Sequence, residues 1–127
     1  MQGKAFLTTA RAAWANDMLE RVAAGYKGDL TYPVAVGLVS ASYDMPLVDV
    51  LQAFLTAFVS NLVSASVRLG VIGQTDGQRV IAALLPLVEE TAHGASNSTL
   101  EDLGSSVFRS DLASLHHETQ YTRLFRS

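Results

Sequence analysis

Residues 46–70 read PLVDVLQAFLTAFVSNLVSASVRLG, the longest apolar stretch of the 127-residue chain. Leu47, Val50, Leu51, Phe54, Phe58, Leu62, Ala65 and Leu69 recur at the spacing of one helical face, which predicts a central helix of six turns beginning after Asp44 and Pro46. Asp49, Gln52, Ser60, Asn61, Ser64 and Arg68 interrupt the run with polar groups that are costly in hydrocarbon, so it reads as a soluble helix. Ser60, Ser64 and Ser66, set among alanines, make one side narrow enough for a second helix to approach closely. That helix can belong to the same domain or to a second copy.

Working outward, Gly70 and Gly73 end the central helix. Thr75 and Gln78 then stand at the spacing of a capping box, with Asp76 suited to the positive end of a helix that turns Val80, Ile81, Leu84, Leu85 and Val88 inward. Pro86 lies inside this pattern and predicts a bend, because proline removes a backbone donor and crowds the carbonyl four residues earlier. Ser98 and Glu101 repeat the capping-box spacing before a last helix whose stripe is Val107, Phe108, Leu112 and Leu115. On the N-terminal side, Leu7, Ala10, Trp14, Met18 and Val22 predict one helix over 4–24, stopped by Gly25, and Pro33 opens a short helix through Ser42. No alternating strand pattern, hairpin dipeptide or repeat is present, so the expected fold is all-α, a bundle of about five helices in a single domain over residues 1–127.

Composition narrows the function classes. Cysteine is absent, which removes disulfides and thiolate metal sites and makes the cytoplasm the expected compartment. A formal charge of -3 with dispersed Lys and Arg argues against nucleic acid as a partner. The N-terminal MQGKAFLTTARAAWANDMLE lacks the uninterrupted apolar core of a signal peptide, and no membrane association is expected. With 49% hydrophobic and 17% charged residues, the chain is apolar for its size, so part of its surface is expected to face a partner.

His116, His117 and Glu118 are the residue types a metal-dependent hydrolase would use. Adjacent helical residues point about 100° apart, however, and two histidines sharing one metal from one helix need i, i+3 or i, i+4 spacing. GVIGQTDGQR lacks the Lys-Ser/Thr pair of a P-loop, since Gly77 is followed by Gln78 and Arg79. The closing HETQYTRLFRS collects Tyr121, Arg123, Leu124, Phe125 and Arg126, types enriched at binding hot spots. Three functions therefore stand side by side: a scaffold, a hydrolase built on His116, His117 and Glu118, and a purely structural helical dimer.

Two stretches carry a resemblance. Gly73-Gln74-Thr75-Asp76-Gly77-Gln78-Arg79 is similar to the GQT-x-GQR loop of the urease accessory protein F family, and residues 117–127, from His117 and Glu118 through Tyr121 and Arg123-Leu124-Phe125-Arg126 to Ser127, resemble that family's closing H-E-x-Q-Y-x-R-L-F-R-S. Val71-Ile72 stands where the family usually has Pro-Leu, a Trp common near the Phe58-Val59 region is replaced, and the family's N-terminal glycine-rich portion has no counterpart here. The resemblance implies a helical, homodimeric, non-catalytic accessory protein that joins a D/H-type accessory protein and a G-type GTPase to deliver nickel to apo-urease. It implies no stably bound cofactor, the nickel being handled by the complex. Partner contacts are then expected at Gly73, Gln74, Thr75, Gly77, Gln78, Arg79, His117, Glu118, Tyr121, Arg123, Leu124, Phe125 and Arg126.

Overall fold

A computed structural model describes residues 2–26, 28, 30–104 and 107–118, with the backbone alone at 117 and 118. All described regular structure is helical: α1 (Gln2–Ala13), α2 (Asp17–Gly25), α3 (Tyr32–Ala41), α4 (Leu47–Arg68), α5 (Gln74–Ser96), a single 3-10 turn (Leu100–Asp102) and α6 (Phe108–Glu118). The all-α expectation holds, with six α-helices where about five were expected. Two compact units make up the chain, Met1–Asn97 and Ser98–Ser127.

The extra helix comes from a break in the predicted first helix. Asn16 leaves helical geometry at φ −143°, and its Oδ1 accepts from the Leu19 backbone N–H at 2.7 Å, which starts α2. A side-chain acceptor at this position supplies one of the bonds that a new helix start would otherwise lack. The break rotates the later residues, so Trp14 and Met18 of the predicted stripe are exposed while Leu19 is fully buried.

α1 and α3 run in the same direction, since Gly3 meets the backbone of Leu30 and Thr31 and Ala10 shares a core with Val39 and Leu19. A Cβ on Gly3 would overlap that backbone, so glycine is what lets the two helices close up. Polar bonds brace the corner: Asn16 Nδ2 donates to Ser42 Oγ at 3.1 Å, Ser42 Oγ to the Val39 carbonyl at 2.7 Å, and the Tyr43 hydroxyl to the Trp14 carbonyl at 2.6 Å. Phe6, Tyr32 and Phe54 stack in series, with ring centroids 5.4 and 5.8 Å apart, and so link α1 through α3 to α4.

α4 starts at Leu47 behind Pro46, as its sequence predicts. It ends in a Schellman arrangement: Gly70 takes φ +70°, its N–H donates to the Val67 carbonyl, and the Val71 N–H donates to the Ser66 carbonyl. The chain reverses within five residues, and α5 returns antiparallel, with Gly77 beside Val63 and Val67, and Leu87, Val88 and Thr91 beside Leu55, Phe58 and Val59. α5 is continuous through Pro86.

Several expectations for these helices are corrected. The α4 face that meets α5 is Leu55, Val59, Val63 and Val67, of which Val63 is buried; Leu47, Phe58, Leu62 and Leu69 of the predicted stripe are exposed. On α5, Val88 is buried as expected, but Val80 and Leu85 face outward. Because α5 begins at Gln74, Thr75 is already inside the helix and no Thr75–Gln78 capping box forms; Gly73 occupies the N-cap. The second capping box is displaced by one residue: Thr99 and Asp102 form it, with the Thr99 N–H donating to Asp102 Oδ2 at 2.7 Å. In the second unit, Val107, Phe108, Leu112 and Leu115 are all exposed, so the stripe of α6 is not a buried one.

Candidate functional site

The α4–α5 turn is the part of the predicted surface that the structure describes completely, and it separates its residues by role. Gly77 is buried on α5, where a Cβ would lie 2.9 Å from Val63 Cγ1 and 3.3 Å from Val67 Cγ2. Its lack of a side chain sets how near α5 comes to α4. The expected close approach is therefore made by a glycine on α5 rather than by the serines of α4.

Gln74 and Gln78 stand one turn apart on the same side of α5. With Val63, Ser64, Val67, Arg68 and Ile81 they line a groove of about 260 Å³ between the two helices. Its floor is apolar and its rim carries two amides, a hydroxyl and a guanidinium, groups able to donate to and accept from the backbone of another chain. Thr75 and Arg79 lie outside the groove. Arg79 Nη1 pairs with Asp76 Oδ1 at 2.8 Å, with both side chains mostly solvated, an interaction that orients Arg79 and contributes little stability.

The structure therefore brings together Gly73, Gln74, Gly77 and Gln78 at one turn and leaves Thr75 and Arg79 on its outer side. Arg68 and Ser64 belong to the same groove; the sequence marked them as polar positions of the central helix and not as partner contacts. His117 and Glu118 are on the last turn of α6 as backbone only, and Tyr121, Arg123, Leu124, Phe125 and Arg126 lie outside the described residues.

Of the residues of the hydrolase reading, the structure describes the side chain of His116 alone. His116 is exposed on α6, His93 is in the last turn of α5 in the other unit, and among the described residues no group of three or more His, Asp or Glu side chains could hold a metal ion. The resolved shifts in acidity lie elsewhere. A bidentate contact with the Arg11 guanidinium, made by Nε at 2.9 Å and by Nη2, holds the Glu20 carboxyl below its usual value and raises Arg11 in turn. The backbone N–H and then the hydroxyl of Thr99 lower Asp102. These are the marks of an ion pair and a helix cap.

Fold and groove together define an all-α protein whose described surface offers contact area and hydrogen-bonding groups to another chain. Relatives give that class a narrower identity. The UreF family model matches residues 1–85, and the chain belongs to the UreF family. It is 58% identical over 126 residues to the urease accessory protein UreF of Rhodopseudomonas palustris strain HaA2, covering 99% of this chain and 53% of that protein. Identity is 56% with the UreF of Bradyrhizobium diazoefficiens and 50% with that of Azorhizobium caulinodans, covering 52% and 54% of those proteins. The chain thus spans about half the length of the curated relatives it matches, their C-terminal portion.

Proposed function

We propose that this chain serves as a non-catalytic scaffold in urease maturation, joining a D/H-type accessory protein and a G-type GTPase in a complex that inserts nickel into apo-urease. The reading rests on one observation above the others: the chain matches proteins named urease accessory protein UreF over 99% of its length, including the GQTDGQR turn. In this role the chain supplies surface, GTP hydrolysis belongs to the G-type partner, and nickel is cargo of the complex. The groove beside Gln74 and Gln78 is the contact offered by the first unit, and the residues from His117 to Arg126 are the contact offered by the second. The working form is a cytoplasmic homodimer.

Co-purification with the D/H-type accessory protein tests this. The intact chain is expected to retain the partner, and a chain lacking Arg123–Ser127 to lose it. Gln74→Ala with Gln78→Ala, at exposed positions, is expected to weaken retention of one complex member without loss of helicity. Retention of neither partner by the intact chain, or by a chain carrying the relatives' additional portion, would overturn the proposal. Turnover of an ester or amide substrate that disappears in His116→Ala would instead favour the hydrolase.

A further inference from the structure

The groove between α4 and α5 is edged by two pairs of side chains, each pair four residues apart: Gln74 and Gln78 on α5, Ser64 and Arg68 on α4. Four residues of helix advance by about 6 Å. An extended chain repeats every two residues, about 6.6 Å, and along one edge presents an N–H and a C=O at each repeat. Over one repeat the two spacings agree, so each glutamine amide, which both donates and accepts, can meet the N–H and C=O of alternate residues in such a chain.

The hydrogen-bonding groups of this rim are not used internally. Among the described residues, Ser64, Gln74 and Gln78 make no side-chain hydrogen bond. Other hydroxyls of the two long helices close onto their own preceding turns: Thr56 onto the Gln52 carbonyl at 2.7 Å, Ser66 onto Leu62 at 3.0 Å and Thr91 onto Leu87 at 2.7 Å. Below the rim, Val63, Val67 and Ile81 form an apolar floor. At about 260 Å³ the groove is too small to enclose a helix, one turn of which, about 5.4 Å long and 10 Å across, fills roughly 420 Å³. Arg68 ends α4 and Gln74 begins α5, so a guanidinium and the positive end of a helix share the turn end of the groove, and both favour a carboxylate. The closing residues of this chain bring Arg123 and Arg126 instead, which disfavours the tail of a second copy as occupant.

We infer that the groove takes an extended segment of a partner protein, held through its backbone by Gln74 and Gln78, with an apolar side chain on the valine floor and an Asp or Glu side chain at Arg68. The inference rests on the proposed role of this groove as a partner contact and adds what the partner brings to it. Main-chain hydrogen bonds supply the affinity, while the floor and the guanidinium supply the selectivity.

The test starts from the complex of this chain with the D/H-type and G-type proteins, with Ser64 replaced by the photo-crosslinking residue p-benzoylphenylalanine. Irradiation is expected to attach it to one partner segment that contains an Asp or Glu, located by mass spectrometry. A synthetic peptide of that segment should bind the chain, and methylation of its backbone nitrogens one at a time should weaken binding at least tenfold with a period of two residues. Gln74→Ala with Gln78→Ala should erase that alternation. Arg68→Glu should weaken binding at least tenfold, and a peptide with Lys in place of its acidic residue should restore it. Crosslinking to a second copy of this chain, a segment that does not bind as a peptide, methylation effects without the two-residue period, or a charge exchange that restores nothing would each overturn the inference while the complex, and the proposed function, stand. Absence of any complex would overturn the proposed function and this inference with it.

Discussion

The α1–α3 corner and the α4–α5 hairpin belong to one compact unit, yet they are held by different means. In the corner, short helices carry small side chains, and its buried residues Ala10, Leu19, Ala35 and Val39 are knit by hydrogen bonds that cross from one helix to another. In the hairpin, two helices of 22 and 23 residues pack along one seam of Val63, Gly77, Val88 and Ala92, and their side-chain hydrogen bonds run mainly to their own preceding turns. The corner buries small and aliphatic residues and leaves Trp14, Met18 and Val34 exposed at separate places. The hairpin keeps a second apolar face outward, the property expected of an element that helps organise a larger assembly.

Truncating the largest fully buried side chain should separate the two regions most clearly. Leu19→Ala is expected to destabilise the protein by about 3 kcal/mol in urea denaturation, by loss of burial plus a cavity. Leu62→Ala, the same truncation at an exposed position of the hairpin, should stay within about 0.5 kcal/mol. Equal costs would erase the distinction. Asn16→Ala comes next, at about 1.5 kcal/mol, because it removes both the cap on α2 and the link to Ser42.

In the hairpin, Gly77→Ala sets two effects against each other. Alanine is favoured over glycine within a helix by up to about 1 kcal/mol, but its Cβ would press on Val63, whose β-branched side chain has few rotamers to retreat into. Overpacking should win, with a net loss of about 1 kcal/mol. A double-mutant cycle with Val63→Ala should recover part of that loss, and strict additivity would mean that the contact is not what requires glycine.

The smallest effect is electrostatic. Glu20 is paired with Arg11 and Asp102 caps the 3-10 turn, so both carboxyls titrate below their ordinary values of 4.5 and 3.8. A lowered folded-state value stabilises the fold above the ordinary value, and that stabilisation fades as pH falls through the lowered one. Carboxyl NMR titrations should place both midpoints below these ordinary values, with salt raising that of Glu20 because the pair is exposed. A Glu20 midpoint unchanged in Arg11→Met would remove the ion pair as the cause.

Helices with strong punctuation were legible in the sequence. Pro46 and Gly70 bracket α4, and Pro33 lies in the first turn of α3, because these residues act through their own backbones whatever surrounds them. The break at Asn16 was missed because apolar spacing continues across it; the overlooked signal was Asn followed by Asp and Glu in a new first turn. The faces of α4 were harder still. Both of its stripes are apolar, and periodicity cannot tell which of two such stripes the next helix will choose. The two helices close up where Gly77, one turn into α5, meets Val63 and Val67, a contact that α4 read by itself does not announce. Of the candidate partner residues, the turn was readable as a motif, while the pairing of Gln74 and Gln78 with Arg68 required the return path of α5.

Trp14 is the chain's only tryptophan, and it stands at the α1–α2 break, 57% exposed, with its carbonyl held by the Tyr43 hydroxyl. The hairpin has neither tryptophan nor tyrosine. Indole fluorescence is therefore a local optical reporter of the corner, whereas the far-ultraviolet signal is dominated by the long helices. Monitored together during unfolding, the two wavelengths distinguish a molecule that melts as one cooperative body from one whose corner opens first, without any label being added.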